Sequence, residues 1–319
     1  MNEPKPMNFQ LPVARYRCVF RAETPIRFPA YAGSTWRGAF GHALRRTVCM
    51  TREPECGQCL LWRSCVYSQV FETPAGRGPM LEKVNTAPHP YIMHPLETSG
   101  RQYAPGDEFA LYLTLLGKAV EHLPYLIHSL RQVGERGLGK QGGRCSLQRV
   151  EQENGVGSGV WVSIHTPGGS LQALPGNVPL VPPVPDGEVR VHLHTPFRLL
   201  QEGTPVHSGR FSFQLFFNTL MRRLSLLHAF HAGVELEADF RALSQQAAAV
   251  PLLQAQLHWH EWSRYSNRQQ SKVQMGGLLG SFGLPAGQLA EFWPWLWQGQ
   301  WVHAGKGAVM GMGGYSLDC

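Results

Sequence analysis

The same short pattern occurs twice in this chain, and that repetition constrains the fold more than any other feature. Tyr16–Arg21 alternates apolar and polar residues like a strand and leads into Thr24-Pro-Ile-Arg27. A helical stretch follows, Thr35 to Arg46, ending in Arg-Arg. In the second half Val189–His194 alternates, leads into Thr195-Pro-Phe-Arg198, and gives way to a helical stretch from Phe213 to Arg223, again ending in Arg-Arg. The rest of each half matches as well. Phe109–Leu115 reads as a strand by its period of two, followed by a helix at about 119–133, a glycine loop at 137–144, and a strand through Leu147–Val150. Its counterpart has a strand candidate at Leu257–Trp262 and a second strand. A helix at about 287–297, another glycine loop, and a last strand over Val309–Leu317 complete it. Strand, helix, strand, strand, helix, strand is the ferredoxin-like order. The expected architecture is α+β, two tandem ferredoxin-like domains over 1–152 and 188–319, with a cysteine-rich insertion at about 49–75 in the first. Residues 153–187, rich in Gly and Pro and including Pro182-Pro183-Val-Pro185, read as the linker.

Charge points to a polyanionic partner. The net charge is +7, and the excess is clustered: seven arginines lie between Arg15 and Arg46 with one acid, Glu23. Arg210, Arg222 and Arg223 lie between Gly203 and Gly233 with none. Such clusters are the footprint expected for nucleic acid, and their bland alternative is a solvated basic face. The glycine loops strengthen the first reading. Gly305, Gly307, Gly311, Gly313 and Gly314 fall within ten residues around Lys306, and Gly137-Leu-Gly-Lys140-Gln-Gly-Gly-Arg144 is a weaker copy. Without a Cβ, such backbone lets an anionic chain come close to its N–H groups. Arg264, Arg268 and Lys272 surround Tyr265, a pattern that grips phosphate while a ring stacks on a base. No apolar run has the length of a membrane span and the start resembles no signal peptide, so a cytoplasmic protein without membrane partners is expected.

The duplicated pattern, Trp262–Gln269, Met275–Gly280 and the closing Gly305–Gly314 loop resemble the RAMP proteins of CRISPR systems. Among these the chain is most similar to the endoribonuclease that cuts CRISPR precursor RNA within each repeat. The resemblance implies binding of repeat RNA or crRNA and cleavage that needs no metal. The neighbouring 2′-hydroxyl would attack, leaving a 2′,3′-cyclic phosphate and a 5′-hydroxyl. It also implies a histidine on or near the first helix. His42 fits that place as general acid or base, its alternative being a histidine packed on the helix's inner face. Tyr31 is a possible donor, Lys306 a phosphate-holding cation, and His303 a second histidine candidate. RNA-binding expectations fall on Arg37, Arg45, Arg46, Lys140, Arg144, Arg222, Arg223, Arg264, Arg268, Lys272, Gly305, Gly307, Gly311 and Gly313. Three other readings stand beside it: an RNA-binding subunit that does not cut and shares the fold, another RAMP subunit of a CRISPR effector complex, and a redox or sensor protein built around an iron–sulfur cluster.

Four of the seven cysteines, Cys49, Cys56, Cys59 and Cys65, stand close together. The Cys-x-x-Cys pair has the reach of a chelate, and two flanking thiols complete a set of four. A structural zinc is expected, with an iron–sulfur cluster as the alternative. A closed four-thiolate site leaves no position for substrate, which assigns it to the fold and not to the cut.

Overall fold

The computed structural model describes residues 7–74, 87–139, 141–266 and 271–318. Lys140 and Arg268 lie outside the described residues. Two compact units emerge, one within residues 10–179 and 227–234, the other within 180–226 and 235–318 together with residues 7–9.

In the N-terminal unit β1 (Val13–Ala22) leads to α1 (Gly33–Val48), and a short α2 (Val66–Phe71) follows the cysteine-rich stretch. Next come β2 (Tyr91–His94), β3 (Glu108–Leu116), α3 (Leu123–Arg136), β4 (Cys145–Glu153) and β5 (Trp161–His165). The sheet is antiparallel in the order β2-β3-β1-β4-β5, the ferredoxin-like order with β5 added at one edge. The stretch read as linker therefore supplies an edge strand. Its alternating Trp-Val-Ser-Ile-His pairs with β4 before the proline-rich segment begins. The helices form because their apolar residues recur at helical spacing. Trp36, Phe40, Ala43 and Leu44 on α1, and Leu123, Leu126, Ile127, Leu130 and Val133 on α3, are all buried.

The C-terminal unit repeats the plan. β6 (Glu188–Phe197), α4 (Phe213–Leu227) and α5 (Phe240–Ala247) precede β7 (Leu253–His260). A hairpin of β8 (Ser263–Ser266) and β9 (Ser271–Gln274) comes before β10 (Gly277–Pro285), α6 (Trp293–Gly299) and β11 (Tyr315–Asp318). Its sheet order is β7-β10-β6-β11. Phe216, Phe217, Leu220, Phe282 and Trp295 fill the core.

Three boundaries differ from the sequence reading. Both second helices start later than expected, with 3₁₀ turns at 117–122 and 286–288 before them. Pro124 and Pro294 sit in their first turns, where a missing N–H costs nothing. The last strand begins at Tyr315 and not at Val309, because Gly307, Gly311 and Gly313 hold left-handed φ values of 82°, 85° and 69°. Such backbone cannot extend a strand.

Candidate nucleic-acid interface

The terminal glycine loop is anchored by the repeated Thr-Pro-x-Arg motif. Thr195 Oγ1 accepts from Gly314 N–H at 2.7 Å, the Pro196 carbonyl accepts from Gly313 N–H at 3.1 Å, and the Arg198 carbonyl accepts from Lys306 N–H at 2.8 Å. In the first half Thr24 Oγ1 accepts from Arg144 N–H at 2.8 Å, and the N–H groups of Glu23 and Thr24 bond the Arg144 carbonyl. The Arg27 carbonyl comes so close to Gly139 that a Cβ there would stand 2.9 Å from it. The motif thus recurs because each half braces its glycine loop against the turn after its first strand. In the sequence these threonines stand out only as members of the repeat, with nothing local to mark the bond they make.

The terminal loop is mostly inward. Gly311, Gly313 and Gly314 are buried, and the outer arc is Gly305 to Gly307 with Lys306 exposed at its tip. A Cβ on Gly313 would lie 1.6 Å from the Ala304 carbonyl, and one on Gly305 2.6 Å from the Arg198 carbonyl. His303 precedes this arc in left-handed backbone, φ 60°, and is buried. Its Nδ1 lies 3.0 Å from the Met312 carbonyl, which only a protonated nitrogen can satisfy. Arg223 is drawn inward too. Its Nε donates to the Val302 carbonyl at 2.7 Å, and burial lowers its pKa to about 10. Arg222 beside it is exposed.

In the N-terminal unit His42 lies on the exposed side of α1 and does not pack inward. Gly38, one turn before it, has open space where a Cβ would point, and exposed Arg46 lies one turn after. Arg46 feels Arg136 of α3; burial and that second cation lower its pKa. Exposed Arg136 thus joins this basic face, a neighbour that no spacing rule in the sequence points to. The other first-helix arginines are engaged elsewhere. Arg37 stacks over the Phe71 ring at 4.5 Å, and Arg45 reaches the carbonyls of Glu53 and Pro54. Tyr31 is buried, and burial raises its pKa. The arginines of β1 are paired across the sheet: Arg15 with Glu153 at 2.7 Å, Arg17 with Glu151, and Arg21 with Glu108 at 2.9 Å.

Arg144 is exposed at the first glycine loop, Arg264 is half-buried on β8, and Lys272 on β9 stands opposite Tyr265 in the hairpin register. Cys49, Cys56, Cys59 and Cys65 line one small pocket as free thiols. Among the described residues no group of three or more His, Cys, Asp or Glu is arranged so as to hold a metal ion. No helix among them is long and apolar enough to cross a membrane.

Comparison with known proteins places both halves. Residues 11–175 match a family profile for an N-terminal domain named AF_1859_N, and residues 191–315 match that of the CRISPR-associated endoribonuclease Cas6. An uncharacterized protein of Archaeoglobus fulgidus is 29% identical over 136 residues. That match spans 41% of this chain and 44% of that protein, less than half of either. Among solved structures, a Cas6 product complex aligns with a TM-score of 0.55 at 15% identity, covering 96% of this chain and 99% of that one. Thermus thermophilus Cas6 gives 0.52 at 13%, covering 98% and 100%. A partial Cas6-RT-Cas1–Cas2 complex gives 0.54 at 13%, covering 98% of this chain and 47% of that chain. At these identities the likeness is one of fold.

Proposed function

We propose, for a chain that belongs to the Cas6 family of CRISPR-associated RAMP proteins, that it binds the repeat of precursor crRNA and cuts it with no metal in the chemical step. The observation that carries this reading is His42, an exposed imidazole on α1 with open space beyond Gly38 and exposed Arg46 one turn away. An acid–base group must reach the atom it serves, and histidine titrates near working pH. His42 takes the proton from the attacking 2′-hydroxyl or gives one to the departing 5′-oxygen. Exposed Arg46, one turn on, is a cation that stabilises charge on the phosphorane. The products are a 2′,3′-cyclic phosphate and a 5′-hydroxyl, and the cut RNA is a crRNA. His303 ranks behind His42 because it is buried and holds the Met312 carbonyl. Tyr31 ranks behind it because its side chain is buried.

Lys306, at the tip of the outer arc, contacts RNA phosphate, and the exposed Arg144 and Arg222 add further backbone contacts. A structural neighbour is part of a Cas6-RT-Cas1–Cas2 complex, which supports assembly with other CRISPR subunits.

The test is a brief incubation with repeat RNA in EDTA, followed by mapping of both ends. Cleavage is expected to persist, and a deoxynucleotide on the 5′ side of the scissile bond is expected to stop it. A strict magnesium requirement, or a cut at the deoxy position, overturns the mechanism. Tight binding with no cut assigns the chain to the non-cleaving subunits.

A further inference from the structure

Residues 49–66 contain no buried side chain, yet they form a defined series of turns. Met50 is 83% exposed and Leu60 87%, so apolar burial does not hold this segment. A stretch of this kind needs a cross-link or a metal to keep one conformation. Its four cysteines all face one void of about 20 Å³. Around that void Cys49 and Cys59 have donors or a cation beside them, while Cys56 also has the Glu72 carboxyl beside it. Cys59 Sγ is approached by the Thr51 hydroxyl at 3.2 Å and by Leu61 N–H at 3.4 Å. The Arg45 guanidinium lies against Cys49 and Cys56 while tying down the carbonyls of Glu53 and Pro54. Hydrogen bonds to ligand sulfur and a nearby cation are the usual outer shell of a thiolate metal site.

We propose that Cys49, Cys56, Cys59 and Cys65 bind one Zn²⁺ as a tetrathiolate that fixes this segment between α1 and α2. The four thiols give up their protons on binding, and rotation about χ1 brings the sulfurs from the rim of the void onto the ion. A volume of about 20 Å³ is on the scale of one water and suits a single ion. Four closed thiolate positions leave none for RNA, so the ion is structural.

The test does not depend on cleavage, so its failure is distinguishable from failure of the RNA reading. Elemental analysis of the full chain, purified without chelator, is expected to give about one zinc per chain. Cobalt(II) in its place should show thiolate charge-transfer and tetrahedral d–d bands. Titration of the wild-type protein with an organomercurial should release zinc as about four thiols react, a readout that needs no variant to fold. Cys56→Ser with Cys59→Ser should lower bound zinc at least about tenfold and speed proteolysis within 49–66. Iron with sulfide, a disulfide between any two of the four, or metal-free protein whose thiols react without releasing an ion would overturn the proposal.

Discussion

The brace between the Thr-Pro motif and each glycine loop can be tested by one pair of isosteric substitutions, because the two threonines make the same bond in different surroundings. Thr195→Val keeps the shape of the side chain and removes the acceptor for Gly314 N–H, a bond whose partners are buried. A buried N–H left without a partner costs about 1–3 kcal/mol. Thr24→Val removes the corresponding bond to Arg144 N–H, which lies at the surface. Water replaces that acceptor, so only the net bond is lost, about 0.5–1 kcal/mol. A unit of this size loses about 2–4 °C of melting temperature per kcal/mol, so Thr195→Val should fall by roughly 2–12 °C. Thr24→Val should fall by about 1–4 °C on the same scale. Urea unfolding followed by circular dichroism gives the free energies, and amide exchange at Gly314 gives the local effect. Thr195→Val should speed that exchange and weaken repeat RNA binding at temperatures where the protein remains folded. Equal losses for the two variants, or wild-type exchange at Gly314 in Thr195→Val, would refute the brace.

His42→Ala should slow single-turnover cleavage by roughly 10²–10⁴-fold, the scale of a lost acid–base group, with RNA affinity nearly unchanged. Cleavage at the wild-type rate would move the role to another residue. Lys306→Ala should weaken binding of different RNA sequences by similar factors and reduce the slope of log K against log salt by about 0.7, the value for one phosphate contact on a single strand. A defect confined to one base substitution in the repeat would make Lys306 a base reader.

The ferredoxin-like plan is legible in the sequence because it rests on local periodicity. Strands alternate, helices repeat their apolar residues every three or four positions, and both patterns occur twice in the same order. The proline positions that delay α3 and α6 are legible too, since a proline fits the first turn of a helix and breaks its interior. Charge is less legible, because its meaning depends on register. Arg15, Arg17 and Arg21 read as part of a basic cluster, yet each faces a carboxylate that arrives from a strand far along the chain. Nothing local in β1 announces that Glu108, Glu151 and Glu153 will stand beside it. Arg37 and Arg45 are diverted in the same way, one onto a ring and one onto the cysteine-rich turns. What remains is a smaller set of exposed cations, with Arg46, Arg144, Arg222 and Lys306 among them.

The glycines show the same limit from the other side. Their density around Lys306 suggests a backbone bared for RNA. The structure gives Gly313 a different reason, since its Cβ position is filled by the Ala304 carbonyl and its N–H is held by Pro196. Gly305 is likewise required by the Arg198 carbonyl, and Gly307 by the Met312 sulfur. Glycine at these positions closes the loop on its own support. On the proposed reading RNA would meet this loop along the outer arc, where Lys306 is exposed and Gly305 and Gly307 are half-buried. A side chain placed on Gly313 would damage the loop before it met any ligand. Weaker RNA binding in such a variant would therefore report on the brace and not on a lost contact. Lys306, whose side chain is exposed at the tip, separates the two effects.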